Sequence, residues 1–132
     1  MSEPGPLPTG IAAALTGQVV DAALEVHRHL GPGLLESAYE ACLTAELEER
    51  GLRVRRQVPM PVLYKGRALD CGYRIDLLVE ETVVVELKAT QSIEGIHVAQ
   101  VLTYLKLAGL RVGLILNFNV KLLKDGIKRV SL

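Results

Sequence analysis

Tryptophan is absent from the chain, and its 132 residues include one phenylalanine and four tyrosines. So few rings make poor stacking platforms for nucleobases. The two cysteines, Cys42 and Cys71, lie far apart and lack the close spacing of a metal knuckle. Two free thiols in a reducing cytoplasm are the expectation. Neither sign of charge is in excess, since 15 Lys and Arg face 15 Asp and Glu. That balance argues against a dedicated, tight, non-specific duplex binder, which needs a basic excess against phosphate, but it leaves room for a local basic patch. No apolar run reaches membrane-spanning length. "MSEPGPLPTG" lacks the basic region and apolar run of a signal peptide. A soluble, cytoplasmic protein with no membrane partner is expected. No phosphate-cradling glycine loop and no nucleophile elbow is present.

What the chain does have is apolar patterning. Hydrophobic residues make up 49% of it, enough for the core of one compact domain. Residues 1–8, rich in Pro and Gly, read as a flexible tail, and residues 9–132 as the domain. Thr9 is placed to cap a first helix reaching about Leu30, with Ile11, Leu15, Val19, Ala22, Val26 and Leu30 as its apolar stripe. Gly31-Pro32-Gly33 stops that helix. A second is predicted from about Leu34 to Arg50, closed by Gly51. On it, Leu35, Tyr39, Cys42 and Leu43 form the expected buried face, Glu36 sits at its margin, and Glu40 points to solvent.

"RVRRQVPMPVLYKGR" is β-branched and broken by Pro59 and Pro61, which suits an extended segment at a sheet edge or bulge. "GYRIDLLVE" and "TVVVELKAT" read as strands joined by an acidic turn. A helix follows from about Gly95 to Ala108, with Val98, Val101, Leu102 and Leu105 as its core face. "RVGLILNF" reads as a strand covered on both faces, and "DGIKRVSL" as a turn and a last strand. The sum is an α/β domain with a mixed sheet flanked by helices.

Chemistry concentrates in "RIDLLVEETVVVELK". Period-two alternation puts Arg74, Asp76 and Leu78 on one face of their strand, and Val84, Glu86 and Lys88 on one face of theirs. The other faces, with Tyr73, Ile75, Leu77, Val83, Val85 and Leu87, are apolar. A three-residue loop through Glu80-Glu81-Thr82 would set Asp76 directly across from Glu86, whereas an even loop would separate them. Facing carboxylates repel. A shared proton, a nearby cation such as Lys88, or a bound metal can offset the cost. Oxygen-only ligands suit Mg²⁺ (or Mn²⁺). The bland alternative is a surface ion pair between Glu86 and Lys88 with Asp76 solvated.

Asp76 followed by Glu86-Leu87-Lys88 resembles the D…(D/E)xK signature of the PD-(D/E)xK nuclease superfamily, and the α-β-β-β-α-β order is similar to its restriction-endonuclease-like core. "GLLESAY", with Gly33, Glu36 and Tyr39, resembles the motif of the GxxExxY protein family, as do "ELKA" and "NFNVKLLKDGIKR". The resemblance runs from about Thr9 to Leu132. It departs at Ile75, which stands where the superfamily's nominal proline would be. It implies Mg²⁺-dependent phosphodiester cleavage, with Asp76, Glu86, the Leu87 backbone carbonyl and Glu36 as metal ligands and Lys88, Glu86 and Asp76 as the catalytic set. Tyr39 would help position substrate. Gln100-x-x-x-Tyr104 resembles the helix motif that follows ExK in exonucleases of the bacterial recombination-repair type. There Gln100 would hold Lys88 or a phosphate, and Tyr104 would position a strand. Ordinary hydrogen bonds at a helix–sheet boundary are the alternative for both.

His97 reads as a packed or exposed histidine rather than a general base. Arg53, Arg55 and Arg56, and Lys121, Lys124, Lys128 and Arg129, read as solvated strand faces before phosphate contacts. Two functions stay open. One is a metal-dependent nuclease on DNA or RNA, favoured by the complete acid–lysine set. The other is a non-catalytic module of the same fold that binds nucleic acid or a protein partner, favoured by small size and zero net charge. Hydrolysis of a small phosphodiester is a third option. A homodimer would widen the narrow footprint of so small a domain.

Overall fold

Residues 9–132 are described in the computed structural model of the chain, and the tail expected at residues 1–8 lies outside them. Helices α1 (Thr9–Leu30) and α2 (Glu36–Glu49) come first. Leu15, Val19, Ala22 and Val26 of α1 are buried at the predicted helical spacing, with Ala12 and Ala23 added and Ile11 left exposed. Gly31 and Gly33 adopt φ of 66° and 102°, which side chains resist and glycine does not. The chain can therefore reverse between the helices.

The buried face of α2 is Tyr39, Glu40, Leu43, Thr44 and Leu47. This corrects the predicted face. Leu35 precedes the helix and is 77% exposed, and Cys42 is exposed. Helix α2 touches α1, β1 (Val54–Pro59), β4 (Arg74–Val79) and β5 (Val83–Lys88) together, so its buried arc is broad. Polar residues enter that arc because they are partnered. Thr44 donates to the Glu40 carbonyl at 2.8 Å, and Arg56 pairs with Glu40 at 2.9 Å.

Five strands form the main sheet in the order β1-β4-β5-β6-β7, with β6 at Val112–Asn117 and β7 at Ile127–Ser131. All neighbours are antiparallel except β5 and β6. That parallel pair needs a crossover, which α3 (Gly95–Ala108) supplies. Helices α1 and α2 cover one face, burying Leu77, Val79, Val83, Val85, Leu87, Leu114 and Leu116. Helix α3 covers the other, over Ile75, Leu78, Val84 and Ile115. Every residue of β6 is buried, as its apolar run predicts. Gly113 lets α3 approach, since a Cβ there would meet Val101 Cγ1 at 2.8 Å.

One element is unforeseen. "VLYKGRAL" is a separate two-stranded hairpin, β2 (Val62–Tyr64) with β3 (Arg67–Leu69). Lys65 and Gly66 take φ of 50° and 77° in its tight turn, and the proline at 61 sets it apart from the edge strand β1. The core order α-β-β-β-α-β holds once the hairpin is treated as an insertion between β1 and β4.

Strict alternation fails at one level of the sheet. In β4, Leu77 and Val79 face α1 and α2, yet Ile75 packs beneath α3. In β1, Val54 packs on the α1–α2 side and Val58 on the α3 side. Between them Gln57 has φ of 52°, rare for a non-glycine residue. Register places Gln57 level with Asp76, because Arg56 pairs with Leu77 and Val58 with Ile75. The sheet is thus broken across β1 and β4 at the residue of chemical interest.

Candidate active site

Leu77 pairs with Val85, Leu78 with Val84 and Val79 with Val83. One step further, that register sets Asp76 across from Glu86, as the three-residue loop predicts. No regular ladder pair forms there. Each carboxylate instead holds the other strand's backbone. The Asp76 N–H donates to Glu86 Oε1 at 3.1 Å, and the Leu87 N–H donates to Asp76 Oδ2 at 2.9 Å.

Glu86 is 5% exposed, so the surface ion pair is not what forms. Burial, then repulsion from Asp76, pushes Glu86 up to about 8; the Asp76 N–H and the charge of Lys88 act the other way. Burial also raises Asp76 against the Leu87 N–H bond. Without a cation the pair therefore holds a proton at neutral pH.

Glu36 opens α2 and reaches the end of β5, where its Oε2 accepts the Ala89 N–H at 3.1 Å. It lines a cleft of about 350 Å³ with Ser37, Glu40, Gln57, Asp76 and Leu87. Asp76 thus opens toward α2, not toward the face of Leu78 where alternation placed it. Glu40 also departs from expectation. It is 8% exposed, buried rather than solvated. Its Oε1 accepts from Gln57 Nε2 at 2.5 Å, and the same nitrogen donates to Asp76 Oδ1 at 3.3 Å. One amide therefore bridges two carboxylates, and the left-handed turn at Gln57 aims it. Among the described residues no three His, Cys, Asp or Glu side chains converge as a ready metal cage. Glu36 borders the acid pair across the cleft without closing such a cage.

Lys88 ends β5 half-buried and has no acid within ion-pair distance among the described residues. Its register partner in β6 is Asn117. The Asn117 side chain is buried and clasps the following loop, accepting from the Thr90 N–H at 3.1 Å and donating to the Thr90 carbonyl at 3.0 Å. Sequence reasoning missed Glu40, Gln57 and Asn117. Glu40 had a signal, one helical turn beyond Glu36; Gln57 had none.

Gln100 and Tyr104 meet each other, Nε2 to hydroxyl at 2.8 Å, and Gln100 does not hold Lys88. Burial raises the Tyr104 hydroxyl, with smaller contributions from Glu86 and Asp76, so it lies within electrostatic reach of the pair. Tyr39 does not present itself to the cleft, which corrects its predicted substrate contact. It is fully buried and stacked 4.4 Å from Phe118. Its hydroxyl donates to the Gly31 carbonyl at 2.6 Å and accepts the Leu34 N–H at 3.2 Å, pinning the Gly-Pro-Gly turn. His97 Nδ1 accepts the Glu94 N–H in a capping box, a structural task. Arg53, Arg55 and Arg56 are paired with Glu80, Glu81 and Glu40.

A mixed α/β sheet with an Asp opposite the Glu of a Glu-x-Lys strand defines the restriction-endonuclease-like class. A family model of the PD-(D/E)XK nuclease superfamily matches residues 13–130, and the chain belongs to that superfamily. No curated protein and no solved structure matches the chain.

Proposed function

We propose that this protein is a divalent-metal-dependent nuclease that hydrolyses phosphodiester bonds in DNA or RNA, within the GxxExxY branch of its superfamily. The observation that carries the reading is the Asp76–Glu86 pair, two carboxyls forced together at a break in a covered sheet. Such a pair costs stability unless a proton or a cation offsets it.

The donors fit a hard cation, since Asp76, Glu86 and the Leu87 carbonyl are all oxygen and Glu36 borders the same cleft. PD-(D/E)XK nucleases usually use divalent metals, and Mg²⁺ or Mn²⁺ would be held by these groups. When bound, the ion supplies charge stabilisation at the phosphoryl oxygens and a more acidic water. The chain does the rest. Lys88, uncommitted to any acid, orients the attacking water and meets the charge that develops. Arg56 and Gln57 neutralise and hold Glu40, and the Gln57 amide bridges it to Asp76, which fixes both carboxylates at the cleft. Gln100 and Tyr104 position the strand. Two exposed free thiols suit a cytoplasmic setting.

A second reading rests on the shared proton. A pair that Glu86 neutralises by protonation is stable without metal, which suits a silent module that binds nucleic acid or a protein. Labelled single- and double-stranded DNA and RNA, incubated with Mg²⁺ or Mn²⁺ beside a Lys88→Ala control, separate the two. Metal-dependent cleavage lost in the variant is the expected result. Absence of cleavage on every substrate leaves the silent module, and cleavage that survives in Lys88→Ala comes from a contaminant.

A further inference from the structure

The chain has four tyrosines, and the fold gathers two of them in one groove. That groove, about 430 Å³, lies between α3 and the chain around the β2–β3 hairpin. Met60, Val62 and Tyr73 line it from the strand side, and Ile96, Tyr104 and Leu107 from α3. The two rings sit edge to face, 6.5 Å apart. Tyr73 is 47% exposed and Ile96 72%, far more than isolated core residues would be. Gln100 lends an amide to the lining, already bound to the Tyr104 hydroxyl. A third tyrosine, Tyr64, is exposed and shares the Val62 side of β2 by alternation.

The groove lies under α3 and the acid cleft against α2, on opposite faces of the sheet, and the two approach each other at the start of β4. Tyr73 immediately precedes β4, and Asp76 lies three residues along, a rise of about 10 Å. The hairpin beside it is basic. Lys65 and Arg67 are exposed and have no acid partner among the described residues, and Arg74 donates to the Tyr73 carbonyl at 3.1 Å with Asp70 at 3.8 Å. Apolar faces for bases thus adjoin cations for phosphates.

We infer that this groove takes the unpaired bases of a single strand of nucleic acid, stacked on Tyr73, with the strand rounding the start of β4 to bring a phosphate to Asp76 and Glu86. The inference rests on the nuclease reading for the direction in which the strand continues. A duplex keeps its bases inside and offers the groove nothing to stack. A second copy of the chain fits poorly, because a two-fold contact would set one basic hairpin against its equal.

The test measures binding apart from cleavage, in EDTA, for the full chain and for Lys88→Ala. A short fluorescent single strand, an abasic strand of the same length, and the corresponding duplex are titrated by anisotropy. The base-bearing strand is expected to bind about tenfold more tightly than the other two, and Tyr73→Ala and Ile96→Ser each to remove that advantage while leaving abasic binding unchanged. Circular dichroism of both variants reports that they fold. Equal binding of base-bearing and abasic strands overturns the inference. So does a wild-type dimer, seen by light scattering, that Ile96→Ser dissociates. Base-dependent binding without any metal-dependent cleavage keeps the groove and removes the nuclease; cleavage without base dependence does the reverse.

Discussion

Glu86 is buried, ionisable and opposed by another carboxyl, and burial is the larger cause of its raised proton affinity. Its folded pKa of about 8 lies above the unfolded value of 4.5. The protonated group therefore contributes stability that is fully present below pH 4.5 and lost as pH rises through about 8. Metal-free protein should lose on the order of 2–5 kcal/mol between pH 5 and pH 9 by urea unfolding, and Glu86→Gln should flatten that slope. A flat wild-type profile would remove the raised affinity. Added Mg²⁺ should restore stability at pH 9, since the ion replaces the proton. Gln57 offers a second test at this scale. Gln57→Gly keeps the backbone turn at φ 52° and deletes the amide between Glu40 and Asp76. Stability should stay within about 1 kcal/mol, because relief of backbone strain offsets the lost bonds, while cleavage falls about tenfold. That Asp76 lies across from Glu86 was legible because loop parity decides the register; the face Asp76 presents was not, because alternation breaks at that level of the sheet. Gln57 was not, because one left-handed residue in an edge strand leaves no trace in residue type.

At the scale of elements, periodicity located α1, α2, α3 and the β4–β5 hairpin, since apolar spacing is a local property. It misjudged the face of α2, because that face is set by four neighbours at once and accepts Glu40 and Thr44 only once they are partnered. The β2–β3 hairpin escaped notice because its strands have three residues each, too few for a period to show. Two substitutions probe how elements set the site. Tyr39→Phe removes both bonds to the Gly-Pro-Gly turn while leaving the stack on Phe118. It should cost roughly 1–2 kcal/mol in urea unfolding, and it should slow cleavage if the turn sets the approach of Glu36. Gly113→Ala places a methyl against Val101 and 3.2 Å from the Val84 carbonyl. Helix α3 must then shift, at a cost of roughly 1–3 kcal/mol. Gln100 and Tyr104 ride on that helix, so single-strand binding should weaken as well.

For the whole molecule, zero net charge conceals an uneven partition of cations. Among the described residues, six arginines are paired with acids: Arg28, Arg50, Arg53, Arg55, Arg56 and Arg74. No lysine is so paired. Arg53, Arg55 and Arg56 read in the sequence as a solvated strand face before a phosphate patch, but in the fold they brace the β4–β5 turn and α2. Long-range pairing of this kind is invisible to a count of charges. The cations left for phosphate are dispersed: Lys65 and Arg67 on the hairpin, Lys88 at the acids, Lys106 and Arg111 around the end of α3, and Lys121, Lys124, Lys128 and Arg129 near the end. The first two sit on the hairpin beside the groove and the third ends the strand that carries Glu86. Contact with about three phosphates gives a shallow salt dependence for a single strand, a slope of roughly −2 in log affinity against log salt. Anisotropy titrations in EDTA at increasing NaCl measure it directly. A slope beyond about −5 would mean that the arginine pairs open on binding, and Glu81→Gln, which frees Arg55, tests that case: it should steepen the slope by about 1 only if Arg55 then reaches a phosphate.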